Sequence, residues 1–364
     1  MLASYSLIAP ATALRRIPTI ADRPTIYVST SNDPHFNLAY EDWLFRKTDS
    51  SERILYLYRN SPSVIIGRNQ NPWKEINLHK LEELGIPFVR RKSGGGTVYH
   101  DLGNTNYCVF VPRLEFNRVT NAQLVASALN RLEIPAYVND RNDICVDKFK
   151  MKLRFGRLYV SGSAFKLVNS RAYHHGTMLI DAQLSNLRGV LGTTKETMIT
   201  KGVASVPSPV RNLVEWSKAI DHDRFVEQVA SEFADKYQVA NEIKRVGIEE
   251  LETNEYVRDT MNELKSWEWQ YGQSPEFTHD VRGFPGDSDL TISIKSRHGV
   301  VTSATVSTPP DDADVWSQAS EVCDVLEGDR YGTVEATRAY VETSAPGAYR
   351  DGMQRIVDWL ARAM

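Results

Sequence analysis

The chain has few cysteines, no surplus of positive charge and no long apolar run. Cysteine occurs three times in 364 residues, as Cys108, Cys145 and Cys323, and none belongs to a C-x-x-C pair. A disulfide framework is therefore excluded. Cys108 and Cys145 lie in apolar, strand-like stretches and read as buried, unreactive thiols. Zinc-type ligand spacing is also missing. His174 and His175 are neighbours, and adjacent strand residues face opposite sides, so they do not share a metal. Lys plus Arg number 43 against 46 Asp plus Glu, a net charge of −3. That lacks the basic footprint of a general nucleic-acid binder, and no nucleic-acid partner is expected. No run approaches the ~18 apolar residues of a membrane-crossing helix, and no membrane partner is expected. Acid is missing from the start: residues 1–21 hold Arg15 and Arg16 but no Asp or Glu before Asp22. Such a start resembles an organellar transit peptide, which implies mitochondrial localisation; a disordered tail and a cytoplasmic protein are the other reading. Residues 1–25 are set aside from the fold on either view.

The most informative segment present is Arg90-Arg91-Lys92-Ser93-Gly94-Gly95-Gly96-Thr97-Val98-Tyr99-His100-Asp101-Leu102-Gly103-Asn104. It follows an apolar, strand-like run, Ile86 to Val89. Three successive glycines remove every Cβ from the loop, so backbone N–H groups can wrap closely around an anion. Two arginines precede it, where phosphate or carboxylate charge would be neutralised. A tight hairpin or close backbone crossing uses glycines in the same way. No Lys-Ser or Lys-Thr pair follows, and the pattern is not Gly-x-Gly-x-x-Gly, so neither a P-loop nor a dinucleotide fold is indicated.

At 41% hydrophobic and 24% charged residues, the composition suits a globular protein of two domains, or one large and one small. Asn32-Asp33-Pro34 caps a predicted helix from about Phe36 to Lys47. Ile54–Tyr58 and Val64–Gly67 read as strand, turn, strand. A charged helix is predicted over about Trp73 to Leu84, a strand over Tyr107–Val111 and an amphipathic helix over Thr120–Leu132. Short strands are predicted at Ile144–Val146, Leu158–Val160 and Thr177–Ile180. Phe225, Val229, Phe233 and Tyr237 form one helical stripe. A domain boundary is placed within 241–254, giving 26–245 and 255–364. Beyond it come a helix to about Lys265, strands at Leu290–Ile294 and Val300–Val306, and helices near 315–327 and 348–362. Strands and helices mix in both halves, so the class is α/β or α+β.

Further polar clusters follow the glycine loop: Asn142-Asp143, Ser161-Gly162-Ser163-Ala164 and Arg171-Ala172-Tyr173-His174-His175-Gly176-Thr177. Upstream stand Asp33-Pro34 with Phe36-Asn37-Leu38-Ala39, and Ile66-Gly67-Arg68 with Gln70-Asn71-Pro72-Trp73-Lys74-Glu75. With Arg91 to Asn104, Arg141-Asn142-Asp143 and His174 to Thr177, these resemble the lipoate–protein ligases of the biotin/lipoate ligase superfamily. The similarity covers nearly all of the chain after residue 25. Ser266-Trp267-Glu268-Trp269, Gly272-Gln273 and Phe277 resemble the accessory domain of the long ligases.

That resemblance implies a mixed-sheet catalytic domain and a smaller α/β accessory domain. It implies that lipoate or octanoate is activated with ATP and Mg²⁺ to an acyl-adenylate, without a tightly bound cofactor. The acyl group then passes to one lysine of a lipoyl domain, on the E2 subunits of 2-oxoacid dehydrogenases or on the glycine cleavage H protein. By resemblance, Arg91 and the backbone of Gly96, Thr97, Val98 and Tyr99 hold the adenylate, with Asn104, Asn142 and Asp143 at the nucleotide end. Asp143 would assist Mg²⁺, a hard cation that prefers oxygen. Gly95, Gly96, Tyr159, Ser161, Tyr173, His175 and Gly176 would line the lipoate site. Backbone donors and cations aimed at developing charge suffice for such chemistry, so no serine or cysteine nucleophile is required.

One position departs from the family. Its members carry a lysine immediately before the Val-Ser-Gly-Ser segment; here Tyr159 stands there. Tyrosine donates a hydrogen bond but brings no cation. Lys166, Arg157, Lys152 and Lys150 are the nearby candidates to replace it. The departure leaves two other readings beside the full ligase: a transferase using a preactivated acyl donor such as acyl-CoA, acyl-AMP or a lipoylated protein, and a catalytically silent homologue that binds lipoyl domains. Biotin ligation is disfavoured by the accessory segment. Lipoate and octanoate both need a long apolar tunnel and are not separated at this level.

Overall fold

The computed structural model describes residues 25–140, 142–146, 159–187, 189–192, 195–206, 209–285, 289–308, 312–347 and 349–364. Strand β1 (Ile26–Ser29) leads into helix α1 (Pro34–Lys47), followed by β2 (Ile54–Arg59) and β3 (Ser63–Ile66). Asp33 caps α1 by accepting from the N–H groups of His35 (2.7 Å) and Phe36 (3.4 Å), with Pro34 starting the first turn. Such a cap contributes about 1 kcal/mol. The helix expected over Trp73–Leu84 is two helices, α2 (Pro72–Glu75) and α3 (Leu78–Glu83). The reason is local: Asn77 accepts from Lys80 N–H and starts a new helix, while Ile76 is extended and bridges to Leu191.

Next come β4 (Phe88–Arg90), β5 (Val98–His100), β6 (Asn104–Pro112), α4 (Arg118–Arg131), β7 (Ala136–Val138), β8 (Ile144–Val146), β9 (Ser163–Leu167), β10 (Arg171–Leu179), β11 (Met198–Thr200), α5 (His222–Tyr237) and β12 (Ile243–Val246). Leu158 of the predicted strand Leu158–Val160 lies outside the described residues, and Tyr159 forms isolated bridges to Cys145 and Val210. The polar stretch Arg171–Thr177 makes up most of β10.

The main sheet has the order β12-β1-β2-β6-β10-β9. Its first three strands are parallel and the rest antiparallel. Both faces are covered. Leu55 and Leu57 of β2 with Tyr107, Val109 and Val111 of β6 meet the inner faces of α4 and α5. Ile54, Tyr56, Tyr58, Cys108, Phe110 and Tyr173 face α1. A strand buried on both sides reads as a continuous apolar run, which explains why β2 and β6 were visible in the sequence. A second sheet, β4-β3-β5, carries the glycine loop between β4 and β5.

Helices α6 (Glu250–Thr253), α7 (Glu255–Lys265) and α8 (Trp267–Gln270) follow, and Val257, Met261, Leu264 and Trp269 join the core formed with α1. The remaining elements are β13 (Phe277–Val281), β14 (Thr291–Arg297), β15 (Val300–Thr308), α9 (Ala313–Leu326), α10 (Glu335–Thr343) and α11 (Arg350–Ala363). With β11 they form a four-stranded sheet, β11-β13-β14-β15, whose core takes in α9 and α11. Trp73 of α2 inserts into this core, with ring centroids 4.9 Å from Tyr331 and 5.6 Å from Phe277.

Arg90, fully buried, ties the two halves together. Its guanidinium donates to the carbonyls of Arg68 (2.8 Å), Gln70 (2.7 Å) and Gln270 (2.7 Å) and to Ser274 Oγ (3.1 Å). Trp269 Nε1 donates to the Arg90 carbonyl at 2.7 Å. An Arg90→Met substitution leaves those buried carbonyls unpaired and is expected to cost on the order of 3 kcal/mol. Thermal melting checks this; an unchanged midpoint would show that the tie contributes nothing.

Candidate active site

The glycine loop is held from inside. Arg91, 4% exposed, donates from Nη2 to the carbonyls of Gly94 (2.7 Å) and Gly96 (2.8 Å), from Nη1 to the Ile65 carbonyl (3.2 Å), and from Nε to Ser93 Oγ (3.0 Å). Burial pulls its guanidinium down to about 10, which leaves it cationic at neutral pH. Its charge thus sits behind the loop while most of its donors fix the loop's shape. Gly95 has φ +91°, a left-handed conformation that glycine adopts without penalty. Thr97 N–H is covered from across the site by Ser205 Oγ at 3.0 Å, and Gln70 Nε2 donates to the same hydroxyl.

Beside the loop opens a cavity of about 790 Å³. Of the residues expected at the site, Arg91, Gly96, Thr97, Val98, Tyr99, Asp143, Tyr159, Ser161, His175 and Gly176 line it. Gly95, Asn104, Asn142 and Tyr173 are not in its wall. Gly95 backs onto Gly67. Asn104 is buried at the start of β6, its Nδ2 bound to Asn106 Oδ1. Asn142 takes a left-handed φ of 65° and turns the chain into Asp143. Tyr173 is buried beneath the wall, edge-on to Phe45.

The cavity has two chemically different ends. Gly96, Thr97, Ser161 to Ser163 and Asp143 form a polar end, which α2 flanks with Lys74 and Glu75. Leu38, Tyr58 and Ile65 form an apolar end that runs into the core between α1 and the main sheet. Beneath that end lies a hydrogen-bonded chain. Ser93 Oγ meets His175 Nε2 at 3.0 Å, and His175 Nδ1 meets Glu41 Oε1 at 3.0 Å. Tyr58 OH donates to Glu41 Oε2 at 3.1 Å. Glu41, Cys108 and His175 bring their ligand atoms within 4.8 Å of one another. Burial, then the Glu41 charge, pushes the Cys108 thiol well above its ordinary value. It stays a neutral thiol.

Sequence reasoning missed Glu41, Lys74, His100 and Ser205. Glu41 follows Asn37 by four residues, so both fall on the face of α1 that meets the sheet, where Tyr56 OH donates to Asn37 Oδ1. That helical spacing is the only local signal. Ser205 arrives from more than a hundred residues downstream and carried none.

Tyr159 is half-buried and lines the cavity, its backbone pinned by Pro209 and Arg211. Of the cations proposed to replace the family lysine, Lys166 is occupied elsewhere: Nζ lies 3.2 Å from Asp42 Oδ1 and over the Phe45 ring. Lys150, Lys152 and Arg157 lie outside the described residues. Among the described residues, the Lys and Arg side chains in the wall are Lys74 and Arg91. Lys74 Nζ donates to the Lys195 carbonyl at 2.9 Å.

A polar cradle joined to an apolar recess suits an enzyme that handles a chain-like acid by its carboxyl end. Comparison with known proteins agrees. The family model described as the lipoyl protein ligase A/B catalytic domain matches residues 33–234, more than half of the chain. Lipoate-bound LipL1 of Plasmodium falciparum is similar over 93% of this chain and 100% of its own, at 26% identity and a TM-score of 0.58. A lipoate-protein ligase A bound with ATP shares the fold over 67% of this chain and 96% of its own, at 23% identity and a TM-score of 0.54. The bipartite ligase of Thermoplasma acidophilum, described with its E2 lipoyl domain, does so over 67% and 94%, at 22% identity and a TM-score of 0.54. The chain belongs to the lipoyl protein ligase A/B catalytic-domain family, a family of ligases that attach lipoate to proteins.

Proposed function

We propose that the chain activates lipoate with Mg-ATP and passes the lipoyl group to a lysine of lipoyl domains. In the first step a lipoate carboxylate oxygen attacks the α-phosphorus and pyrophosphate leaves. In the second the lysine amine attacks the acyl carbon, the bond from that carbon to the bridging oxygen breaks, and AMP leaves with the oxygen and its electron pair while the amine gives up a proton. The observation that carries this reading is a cavity with a glycine-loop cradle at one end and a recess of Leu38, Tyr58 and Ile65 at the other. The loop N–H groups suit a phosphate and a developing oxyanion, with the buried Arg91 charge behind them. Asp143 stands at the polar end, where a Mg²⁺ brought in with ATP would find an oxygen ligand. The bound ligands and the E2 lipoyl domain of the similar proteins support lipoate, ATP and E2 domains as substrates. The glycine cleavage H protein is proposed as a further carrier. The basic, acid-free N-terminal stretch supports a mitochondrial location.

A second reading is favoured by Tyr159. A chain short of one cation at the carboxyl end would be served by an acyl group activated elsewhere, as acyl-AMP or acyl-CoA. The test is incubation of the protein with an apo lipoyl domain and one of two supplies, Mg-ATP plus lipoate or preformed lipoyl-AMP or lipoyl-CoA. Intact-mass measurement reads the lipoyl increment. A gain with Mg-ATP supports the ligase; a gain only with the preformed donors supports the transferase. No gain with any supply would overturn both and leave a lipoyl-domain-binding homologue.

A further inference from the structure

The two edges of the main sheet are built differently. One edge is β12, which turns Lys244 and Arg245 to solvent. Charged side chains on an outer strand discourage another chain from pairing with it. The other edge is β9. Among the described residues it pairs with β10 alone, in unbroken register and without proline. Its one charged side chain, Lys166, is held by Asp42. Phe165 and Leu167 are 40% and 38% exposed. This edge carries none of the usual protection.

The hydrogen bonds to β10 fix which backbone groups of β9 face outward. Thr177 N–H donates to the Gly162 carbonyl and Val168 N–H to the Arg171 carbonyl, both at 2.9 Å. In an antiparallel pair, alternate residues aim their N–H and C=O groups at the same neighbour. Gly162, Ala164, Lys166 and Val168 therefore face β10. Phe165 and Leu167 turn their N–H and C=O groups away from the sheet.

An apolar patch lies along this edge. Phe116 packs on Phe165 with ring centroids 6.0 Å apart, and Val119 and Val168 are exposed. Arg113 N–H donates to the Ser170 carbonyl at 3.0 Å, which brings the exposed Leu114 to the far end of the strand. The exposed Arg118 lies over the Phe165 ring at 4.7 Å. The near end of the edge is continuous with the active site, because Ser163 and Ala164 stand in the cavity wall. Leu167 is three residues further along, roughly 10 Å at strand rise.

We propose that the outer edge of β9 is the docking surface for the acyl-accepting lipoyl domain, which adds an extended strand to it, seats apolar side chains on the Phe116 and Phe165 patch and sets carboxylates against Arg113 and Arg118. This rests on the reading of the chain as an enzyme that transfers a lipoyl group. The acceptor lysine has to enter the cavity, and a strand laid on β9 runs to the cavity wall. Main-chain bonds along a free edge give affinity, and contacts with alternate side chains give specificity. A second copy of this chain seated on the same edge would cover that approach, so it is the competing occupant.

The test uses the full chain, an apo lipoyl domain and preformed lipoyl-AMP. Calorimetry reads the affinity for the apo domain, and intact mass reads its acylation. Leu167→Pro removes the outward N–H and places the ring on the free side, which the pairing with β10 does not use. Phe165→Ser trims the patch. Each variant is expected to weaken binding of the apo domain about tenfold and to raise its KM by the same factor, the worth of about one hydrogen bond or one apolar contact. The kcat at saturating carrier and the affinity for lipoyl-AMP are expected to stay unchanged. Unchanged affinity for the apo domain in both variants would overturn the docking surface and leave the ligase standing. Equal loss of lipoyl-AMP binding would overturn it too, by showing that the strand serves the cavity instead. A dimer in light scattering that Leu167→Pro abolishes would assign the edge to a second copy. Binding that the variants weaken, with no acylation by the unmodified protein, would keep the surface and overturn the transfer reading. Phe165→Ser decides the question even if Leu167→Pro does not fold.

Discussion

Tyr159→Lys is expected to raise ATP-dependent lipoylation of an apo lipoyl domain by roughly 10²–10³. Residue 159 sits in the cavity wall, and its backbone is pinned between Pro209 and Arg211, so a new side chain starts from a fixed position. Both steps place negative charge between the acyl carbon and the phosphate. One charged donor aimed at such charge is worth about 3–4 kcal/mol in a water-poor site. Among the described residues, the cations near the site are engaged elsewhere. Arg91 is committed to the carbonyls of Gly94, Gly96 and Ile65, and Lys166 to Asp42. Lys74 donates to the Lys195 carbonyl. Steady-state rates from intact mass, for the natural chain and the variant, measure the effect. Equal rates would mean that another group supplies the charge, and that position 159 does not limit activation.

Gly67→Ala is expected to lower kcat/KM by about 10² or more, although residue 67 is outside the cavity wall. A Cβ there would stand 2.0 Å from the Gly95 carbonyl oxygen and 3.0 Å from its carbon. Those are backbone atoms, so the loop itself must move. Gly95 has little freedom to do so: its φ is +91°, and Arg91 Nη2 would lie 2.8 Å from any Cβ of its own. Misplacing a binding loop by about 1 Å costs on the order of 10²-fold. Gly94→Ala is the contrast, because nothing lies within 4 Å of the added carbon. Its loss is expected to stay below about tenfold. Comparable losses in both variants would show that the loop tolerates the Gly67 methyl, and that the close crossing is not what shapes it.

The legible part of this protein was the part encoded locally. Asp33 and Pro34 announce α1 because a cap acts within one turn. The stripe of Phe225, Val229, Phe233 and Tyr237 announces α5, since helical period and burial coincide there. The Trp73–Leu84 helix failed at Asn77, where a second cap interrupts a charged run that looks continuous. In the glycine loop, three identical letters hide three different jobs. Gly95 takes the left-handed turn and Gly94 is open, while Gly96 lies 3.4 Å, through an added Cβ, from Ser205 Oγ.

Sequence alone determined the α/β class, the glycine loop, ten of the residues that line the cavity beside it, and the position of Tyr159 in its wall. Each depends on residues close together in the chain or on a motif that keeps its spacing. Only the tertiary structure decided that Arg91 holds the loop from behind, that Glu41 and Ser93 meet across His175, and that His100 Nε2 is buried without a partner among the described residues. Those facts depend on α1, β2, β5 and β10 converging from distant parts of the chain. A buried polar group takes its character from whichever partners the fold brings to it, and no local pattern records them.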